Sequence, residues 1–207
     1  MAKYTKYFIA EIKKNFNGHS NDIMAKVNAH YKVISADTAF AANSKNPIDK
    51  RLDFCAYFLA LIKTMDEQGE SFETTRKICL EIVVEYIKPK NKFQELVKKL
   101  PAKLVNTWLA TYFLRKFNER VSTNSNPDGF IANILTDKKE TLGLGYGVDI
   151  LECGICKLFN KHNYQKYASI LCEVDALTSD LAGLKLVRNN TIALGAKKCD
   201  FRWERKI

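Results

Sequence analysis

Hydrophobic residues recur at three- and four-residue intervals through much of the first half of the chain. This spacing predicts an amphipathic helix over residues 49–66 with one buried stripe. The stripe consists of Leu52, Cys55, Phe58, Leu59, Ile62 and Met65. We expect residues 68–70 to end this helix and Ser71 to cap a second one, which ends at Lys88-Pro89.

A third helix is predicted further along, opened or kinked by Pro101 because proline lacks the amide hydrogen that a helix interior requires. We expect its buried line to consist of Leu104, Val105, Trp108, Tyr112 and Phe117. The polar run over residues 122–129 ends the helix in a loop, which we interpret as the hinge between two halves of the chain.

After Gly143 the hydrophobic period changes, and alternation predicts a strand over residues 146–153. Residues 164–182 return to helical spacing, with Cys172, Asp175 and Ser179 together on a face away from the apolar stripe. That stripe consists of Tyr167, Ile170, Leu171, Val174, Thr178 and Leu181. Two strands then follow over residues 186–194 and 199–205, and the second carries Cys199, Phe201 and Trp203 on one side.

Helices followed by an antiparallel sheet with one packed helix are typical of an α+β fold. The 207 residues are enough for one hydrophobic core, so we expect a single domain. Within it, residues 1–127 are the mainly helical part and residues 128–207 are the cysteine-bearing α+β part. The packing of residues 1–45 is left open by the sequence, and residues 43–47 resemble a turn or linker.

The chain carries a net charge of +10, which raises the question of a nucleic-acid partner. Its lysines are scattered over many segments, without an arginine-rich helix or zinc-finger spacing, so we expect no nucleic-acid partner. The first residues lack the apolar run of a signal peptide, and the apolar stretch over residues 54–62 is too short to span a bilayer. We therefore predict a cytoplasmic protein with no membrane partner.

Six cysteines in a reducing compartment argue against a disulfide framework and leave thiol chemistry, a metal site or simple burial. Cys153 and Cys156 form a Cys-x-x-Cys pair, and Cys172 and Cys199 are the residues that could complete a zinc site. The wide separation of the second pair disfavours structural zinc, so we predict no cofactor and keep zinc as the alternative. A thioredoxin-like role is disfavoured because no strand–helix–strand unit follows the first pair.

A thiol-based active site needs a cysteine with a lowered pKa, a nearby cation and a carboxylate. Cys172 with Asp175 one helical turn away, or Cys199 beside Asp200, could meet Arg188 across the predicted hairpin. Each residue also has a plainer interpretation. Cys172 could equally be a small residue in a helix interface, and Arg188 an exposed strand residue.

The three histidines share no spacing, and we expect His162 to lie in an exposed loop. No Gly-x-Ser-x-Gly elbow is present, which disfavours a serine hydrolase. The candidate chemistry therefore depends on the cysteines and on their acidic and basic neighbours.

A strand ending in cysteine, a Cys-x-x-Asp helix and an arginine-bearing strand that runs to Gly-x-x-x-Cys-Asp-Phe follow one another in the second half of the chain. They occupy residues 149–153, 172–175, 188–195 and 199–202. In this order, over about residues 128–203, they resemble the L-2-amino-thiazoline-4-carboxylic acid hydrolase family. Gly154 stands where that family frequently has proline, and Cys156 is an additional thiol.

The resemblance implies hydrolytic opening of a cyclic thiazoline amidine acid to N-carbamoyl-L-cysteine, a step in bacterial cysteine formation. It therefore implies a small-molecule substrate held in a pocket near the C-terminal end. The implied catalytic residues are Cys172, Asp175, Cys153 and Cys199, and the implied substrate-binding residues are Arg188, Asn190, Thr191 and Asp200.

Two routes of attack on the amidine carbon remain open at this point, a Cys172 thiolate or a water molecule activated by Asp175. In either route the ring sulfur leaves and is protonated, and Arg188 holds the substrate carboxylate. The rival interpretation is a non-enzymatic sensor module that binds a small ligand or a metal through the same thiols. Assembly into a homo-oligomer is also left open.

Overall fold

The computed structural model describes residues 4–105, 107–123 and 126–206. Their helices are α1 (Thr5–Asn15), α2 (Ser20–Thr38), α3 (Leu52–Glu67), α4 (Phe72–Ile87), α5 (Lys92–Leu104), α6 (Trp108–Val121), α7 (Gly154–Lys161) and α8 (Ala168–Leu181). Their strands are β1 (Ile131–Leu135), β2 (Gly147–Glu152), β3 (Leu184–Val187) and β4 (Cys199–Arg205). Helices dominate the first part and an antiparallel sheet the second, which confirms the predicted α+β class.

Helix α3 lies at the centre of the helical part. A short 3₁₀ turn, Asp49–Arg51, leads into it, so the predicted helix over residues 49–66 is confirmed in position. The prediction of one buried stripe is wrong, because the run from Cys55 to Ile62 is buried on every side. Helices α2, α4 and α7 all contact α3, and they cover faces that the sequence pattern left to solvent.

The end of α3 and the start of α4 follow the predicted local chemistry. Gly69 has a φ of +79°, a conformation that glycine adopts without the steric cost of a Cβ atom, and the chain leaves the helix there. Ser71 Oγ accepts a hydrogen bond from the Thr74 amide at 3.1 Å, so the predicted N-cap is confirmed. Helix α4 ends at Ile87, immediately before Lys88 and Pro89.

Helices α1 and α2, within residues 4–44, contribute to the core. Phe8 and Ile12 of α1 and Ile23 and Val27 of α2 are fully or almost fully buried. Asp53 at the start of α3 accepts hydrogen bonds from two tyrosines of this segment, Tyr4 at 2.7 Å and Tyr31 at 2.5 Å. The first two helices are therefore an integral layer of the fold.

The predicted third helix is in fact two helices. Asn91 caps α5 and Thr107 caps α6, each through its side-chain oxygen, and Pro101 lies in the last turn of α5 instead of opening a helix. The predicted buried line is also wrong, since Leu104, Trp108 and Tyr112 are exposed and Val105 and Phe117 are half-buried. Of the predicted loop over residues 122–129, residues 124 and 125 lie outside the described part of the chain.

The sheet has the order β1-β2-β4-β3, and all neighbouring strands are antiparallel. Strands β2 and β4 confirm two of the predicted strands, whereas β1 and helix α7 were not predicted. The predicted strand over residues 186–194 is wrong beyond Val187. There the Asp200 carboxylate accepts hydrogen bonds from the amides of Asn189 and Asn190, which curves the chain into a loop before a 3₁₀ turn, Ile192–Leu194.

A buried aspartate joins the helical part to the sheet. Asp49 accepts hydrogen bonds from the Phe130 amide at 2.8 Å and from Ser44 Oγ at 2.5 Å. Asn46 donates from Nδ2 to the Phe130 carbonyl at 2.8 Å. A Cβ atom at Gly129 would lie 2.9 Å from the Asp49 carboxylate, so a side chain at that position would push the two segments apart.

The substitution Asp49→Ala leaves the buried Phe130 amide without its acceptor. Because an unsatisfied buried donor costs about 1–3 kcal/mol, we expect the free energy of unfolding to fall by that amount in urea denaturation. The control is Asp180→Ala, which removes an exposed ion pair with Lys206 and should cost less than about 1 kcal/mol. Equal effects of the two substitutions would contradict the assigned role of Asp49.

Candidate active site

A cavity of about 210 Å³ lies between the sheet, α8, the start of α7 and the turn that precedes α3. We call it the thiol cavity, since four of its lining residues are Cys153, Cys156, Cys172 and Cys199. Its other charged and hydroxyl groups come from Arg51, Tyr146, Asp175, Thr178 and Ser179, and apolar side chains form the remainder. The volume is below the ~300–1,000 Å³ that is usual for drug-sized ligands, so the cavity suits a smaller molecule.

The strands supply one wall of the thiol cavity through the alternation of their side chains. Cys199, Phe201 and Trp203 of β4 point to the same side, which confirms the predicted facing of this strand. In the adjacent β2, Ile150 pairs with Cys199 and Val148 pairs with Phe201. Both β2 residues also line the cavity, so the two strands form a continuous surface.

A hydrogen-bonded chain fixes this wall against α8. Trp203 Nε1 donates to Ser179 Oγ at 2.8 Å, and Ser179 Oγ donates to the Asp175 carbonyl at 2.6 Å. The ring of Tyr146 stacks on that of Trp203 with 4.9 Å between centroids. The indole is therefore held by polar and aromatic contacts at once.

Helix α8 presents Cys172 and Asp175 to the thiol cavity, one helical turn apart, as the sequence predicted. Arg188, just after β3, donates from Nη1 to Asp175 Oδ2 at 2.9 Å and from Nη2 to the Cys172 carbonyl at 2.9 Å. Its guanidinium carbon lies 4.8 Å from the centroid of the Phe201 ring. With only 12% of its side chain exposed, Arg188 is fixed by these groups and does not itself line the cavity.

Arg51 is the cationic residue that the sequence analysis missed. It lies in the 3₁₀ turn before α3 and lines the thiol cavity from an exposed position. Among the described residues it has no ion-pair partner within 4.0 Å. No local motif marked it, because more than a hundred residues separate it from the cysteine-bearing segment and only the tertiary fold brings them together.

Three thiols of the cavity have raised pKa values. Burial raises the pKa of Cys172 to about 12, and this effect outweighs the opposing charge of Arg188. A hydrogen bond with Cys156, together with burial, holds the pKa of Cys153 well above its usual range. Burial also raises the pKa of Cys199, although its Sγ accepts a hydrogen bond from the Ile192 amide at 3.2 Å.

Burial also perturbs Asp175, with a different chemical consequence from that for the thiols. Its pKa is raised because burial disfavours the charged carboxylate more than the guanidinium groups of Arg51 and Arg188 favour it. A carboxylate with a raised pKa has a higher proton affinity than an exposed aspartate and is a better general base. The thiol cavity therefore combines three thiols of raised pKa with one carboxylate of raised pKa.

Comparison with known protein families gives one match. Residues 50–203, well over half of the chain, match the family model described as L-2-amino-thiazoline-4-carboxylic acid hydrolase. The chain belongs to the L-2-amino-thiazoline-4-carboxylic acid hydrolase family. The predicted resemblance is confirmed, and it extends upstream to include Arg51 and helix α3. The comparisons found no curated protein and no solved structure with significant similarity.

Three further residues carried over from the hydrolase family pattern lie beside the thiol cavity but do not line it. Asp200 accepts hydrogen bonds from the amides of Asn189 and Asn190 at 3.0 and 2.7 Å and from Asn190 Nδ2 at 2.8 Å. Thr191 continues the same loop, and the backbone amide of the next residue, Ile192, donates a hydrogen bond to Cys199 Sγ. Their contacts shape the segment between Arg188 and Cys199.

The predicted exposed position of His162 is wrong. Its side chain is only 17% exposed, and Nε2 lies 2.9 Å from Asp37 Oδ2 on α2. The residue ends α7 far from the α8 face of the cavity and contacts the N-terminal helical layer instead. Burial of this kind depends on which helix packs nearby, which the loop composition of residues 160–163 did not reveal.

The zinc alternative finds no support in the described part of the chain. No group of three or more histidine, cysteine, aspartate or glutamate side chains is arranged there to hold a metal ion. The four cysteines share a cavity without converging on a common point. Their shared environment is a lining, and it does not have the geometry of a ligand cage.

Because the pKa of Cys172 is about 12, its thiolate fraction at neutral pH is on the order of a thousandfold below that of free cysteine. We therefore expect iodoacetamide to alkylate Cys172 slowly at pH 7, with the extent of alkylation measured by peptide mass spectrometry. The control is the urea-unfolded protein, in which Cys172 should react as an ordinary cysteine. Rapid alkylation in the folded protein at pH 7 would show an activated thiolate and contradict the assigned protonation state.

Proposed function

We propose that this protein is a hydrolase that opens the ring of L-2-amino-thiazoline-4-carboxylate, or of a close analogue, to give N-carbamoyl-L-cysteine. The observation that carries the proposal is the Asp175 carboxylate, which has a raised pKa and faces a small cavity beside two guanidinium groups. Family membership supports the reaction class. The chemistry consumes one water molecule and requires no redox partner or cofactor.

The dimensions and polarity of the thiol cavity support such a substrate. A single five-membered ring with two small substituents is far below drug size, in keeping with about 210 Å³ of space. In our proposal Arg51 binds the substrate carboxylate, since it reaches the cavity with no ion-pair partner among the described residues. The ring then lies against the thiols and the aromatic wall of β4.

Asp175 is proposed to transfer the protons. Its carboxylate takes a proton from water as the oxygen attacks the amidine carbon, and the resulting carboxylic acid gives that proton to the ring nitrogen. The carboxylate then takes the second proton from the new hydroxyl group, as the carbonyl forms, and gives it to the ring sulfur as the carbon–sulfur bond breaks. The ring sulfur leaves as a thiol, and the former amidine becomes the carbamoyl group. A raised pKa serves both steps, because it brings the proton affinity of Asp175 closer to neutral pH.

Water is preferred to Cys172 as the nucleophile. A thiol with a pKa of about 12 is almost entirely protonated at neutral pH, and thiols attack as thiolates. Cys172, Cys153 and Cys199 are proposed instead to form a polarizable lining around the ring sulfur. Cys172 therefore contacts the substrate in this proposal and is not the nucleophile, which was one of the two alternatives that the sequence left open.

Arg188 is proposed to position Asp175 and not to bind substrate. Both of its terminal nitrogens are engaged, one by Asp175 Oδ2 and one by the Cys172 carbonyl. These bonds orient the carboxylate toward the cavity and stabilise its charged form. The substrate-binding role first assigned to Arg188 passes in this proposal to Arg51.

The proposed reaction would place the protein in cysteine metabolism, in the cytoplasm of a bacterial cell, with a small molecule as its partner. The family match gives no support to the sensor alternative, and the described residues include no group of three or more histidine, cysteine, aspartate or glutamate side chains that could hold a metal ion. Homo-oligomer formation remains a separate proposal that the reaction does not require.

The substitutions Asp175→Asn and Cys172→Ala separate the two routes. We expect Asp175→Asn to lower kcat by about 10²–10⁴-fold, the usual contribution of a general acid–base group. Cys172→Ala should keep kcat within roughly tenfold of the parent, since it removes a contact but not the base. Turnover is measured as release of a free thiol from the thiazoline. Loss of turnover in Cys172→Ala alone would reverse the assignment.

The two arginines are distinguished by different kinetic signatures. Arg51→Gln and Arg188→Gln both remove a positive charge near Asp175 and should raise its pKa. Only Arg51→Gln should also raise KM, by roughly 10–100-fold, because it removes a charge-assisted bond to the substrate carboxylate. Arg188→Gln should move the acidic limb of the kcat/KM profile to higher pH, since loss of a positive charge raises the pKa of Asp175 further. Arg205→Gln, on the exposed end of β4, is the matched control.

A further inference from the structure

Helix α5 presents an apolar face that the described part of the protein does not cover. Phe93, Leu96, Val97, Leu100 and Leu104 are spaced at three, one, three and four residues, which places them on one side of the helix. All five are exposed, and 73% of the Phe93 surface is open to solvent. A helix usually buries such a stripe against its own domain, whereas the described residues leave this stripe exposed to solvent.

Helix α6 carries a second group of exposed apolar side chains. Its inner side carries Val121, which is buried and packs with the residues of β1, while Trp108, Leu109, Tyr112 and Phe113 are exposed. Trp108 has 81% of its surface open. Together α5 and α6 hold nine of the sixteen exposed large hydrophobic side chains found among the described residues. We call this surface the α5–α6 face.

An apolar cavity of about 670 Å³ lies between the two helices and the sheet, and Leu104 and Phe113 of the α5–α6 face also line it. It separates α5 and α6 from Leu144 and Leu184 on the sheet side, and Lys116 and Arg120 are the charged residues at its border. The core therefore supports these helices only partly from behind. The exposed face and the incomplete support indicate that α5 and α6 are completed by something outside the described chain.

The net charge of this region indicates what kind of partner covers the α5–α6 face. Residues 88–120 contain nine lysines and arginines and two acidic residues, so they carry seven of the ten net positive charges of the chain. On α5, Lys92, Lys99 and Lys103 lie roughly a quarter to a third of a turn from the centre of the apolar stripe. Lysines in this position can keep their stems on an apolar surface while the ammonium groups meet anions.

We propose that the α5–α6 face docks on the surface of an anionic lipid bilayer. The apolar stripe and the aromatic rings would enter the boundary between headgroups and acyl chains, and the flanking lysines would meet lipid phosphates and carboxylates. A second copy of the chain fits less well, because two such faces would bring like charges together. A nucleic acid offers nothing for the exposed leucines and valine, which neither stack nor hydrogen-bond.

This inference revises the sequence-based prediction of no membrane partner. That prediction considered spanning segments, and within the described residues no helix is long and apolar enough to cross a bilayer. A helix that lies in the interface plane needs a strong apolar face and a basic flank instead of a continuous apolar run. The α5–α6 face has both features.

The test uses the full-length protein and phosphatidylcholine vesicles with and without about one third phosphatidylserine. Of the two tryptophans, Trp203 is buried and hydrogen-bonded, so a blue shift of the emission on mixing reports Trp108. We expect the shift and co-sedimentation with the anionic vesicles, both weakened by salt. Absence of co-sedimentation at low salt, or equal binding to neutral vesicles, would overturn the proposal.

Two pairs of variants test the apolar and the basic components. Leu96→Glu with Leu100→Glu should weaken vesicle binding by more than about 100-fold. Its control is Val33→Glu with Leu194→Glu, which also replaces two exposed apolar residues by glutamate. The control changes the net charge by the same amount and should bind vesicles as the parent does. Lys99→Gln with Lys103→Gln should weaken binding about thirtyfold, and Lys26→Gln with Lys32→Gln should not.

Size-exclusion chromatography with light scattering decides between the bilayer and a second copy. A monomeric parent that binds anionic vesicles supports the proposal. A dimer that the Leu96→Glu and Leu100→Glu pair dissociates, with no vesicle binding by the parent, would assign the α5–α6 face to a second copy and overturn it. Equal effects of both glutamate pairs on vesicle binding would also count against a specific face.

Discussion

The burial of α3 on all sides is the constraint around which the molecule is arranged. A helix that is apolar over most of its circumference is stable in water only when other elements surround it. Helices α1, α2 and α4 do so on one side, and α7 and α8 complete the enclosure on the side that meets the sheet. The candidate active site lies where this enclosure ends, between the first turn before α3 and the inner face of β2 and β4.

Local chemistry made parts of this arrangement predictable. The Ser71 cap, the Gly69 termination and the alternation of β2 and β4 each depend on residues within a few positions of one another, and all agree with the structure. The shared face of Cys172 and Asp175 follows from helical periodicity in the same way. Such features are set by backbone geometry before tertiary packing acts.

The errors concern features that depend on distant residues. The segment after Val187 has strand-like composition, but the Asp200 carboxylate captures two of its amides and turns it into a loop. Arg51 lines the cavity only because the tertiary fold brings the turn before α3 and helix α8 to the same cavity. His162 is covered only because Asp37 of α2 lies within hydrogen-bond reach. Trp108 and Tyr112 have the spacing of core residues, and periodicity alone does not tell whether a face meets its own domain.

The junction at Asp49 has a consequence for ligand recognition. Asp49 and Arg51 belong to the same single turn, and the aspartate is held by the backbone of the segment that leads into β1. The backbone that carries the Arg51 guanidinium is therefore immobilised when the protein folds. The backbone entropy of placing this cation is therefore lost once, during folding, and a ligand that meets Arg51 has only the rotamer freedom of its exposed side chain left to restrict.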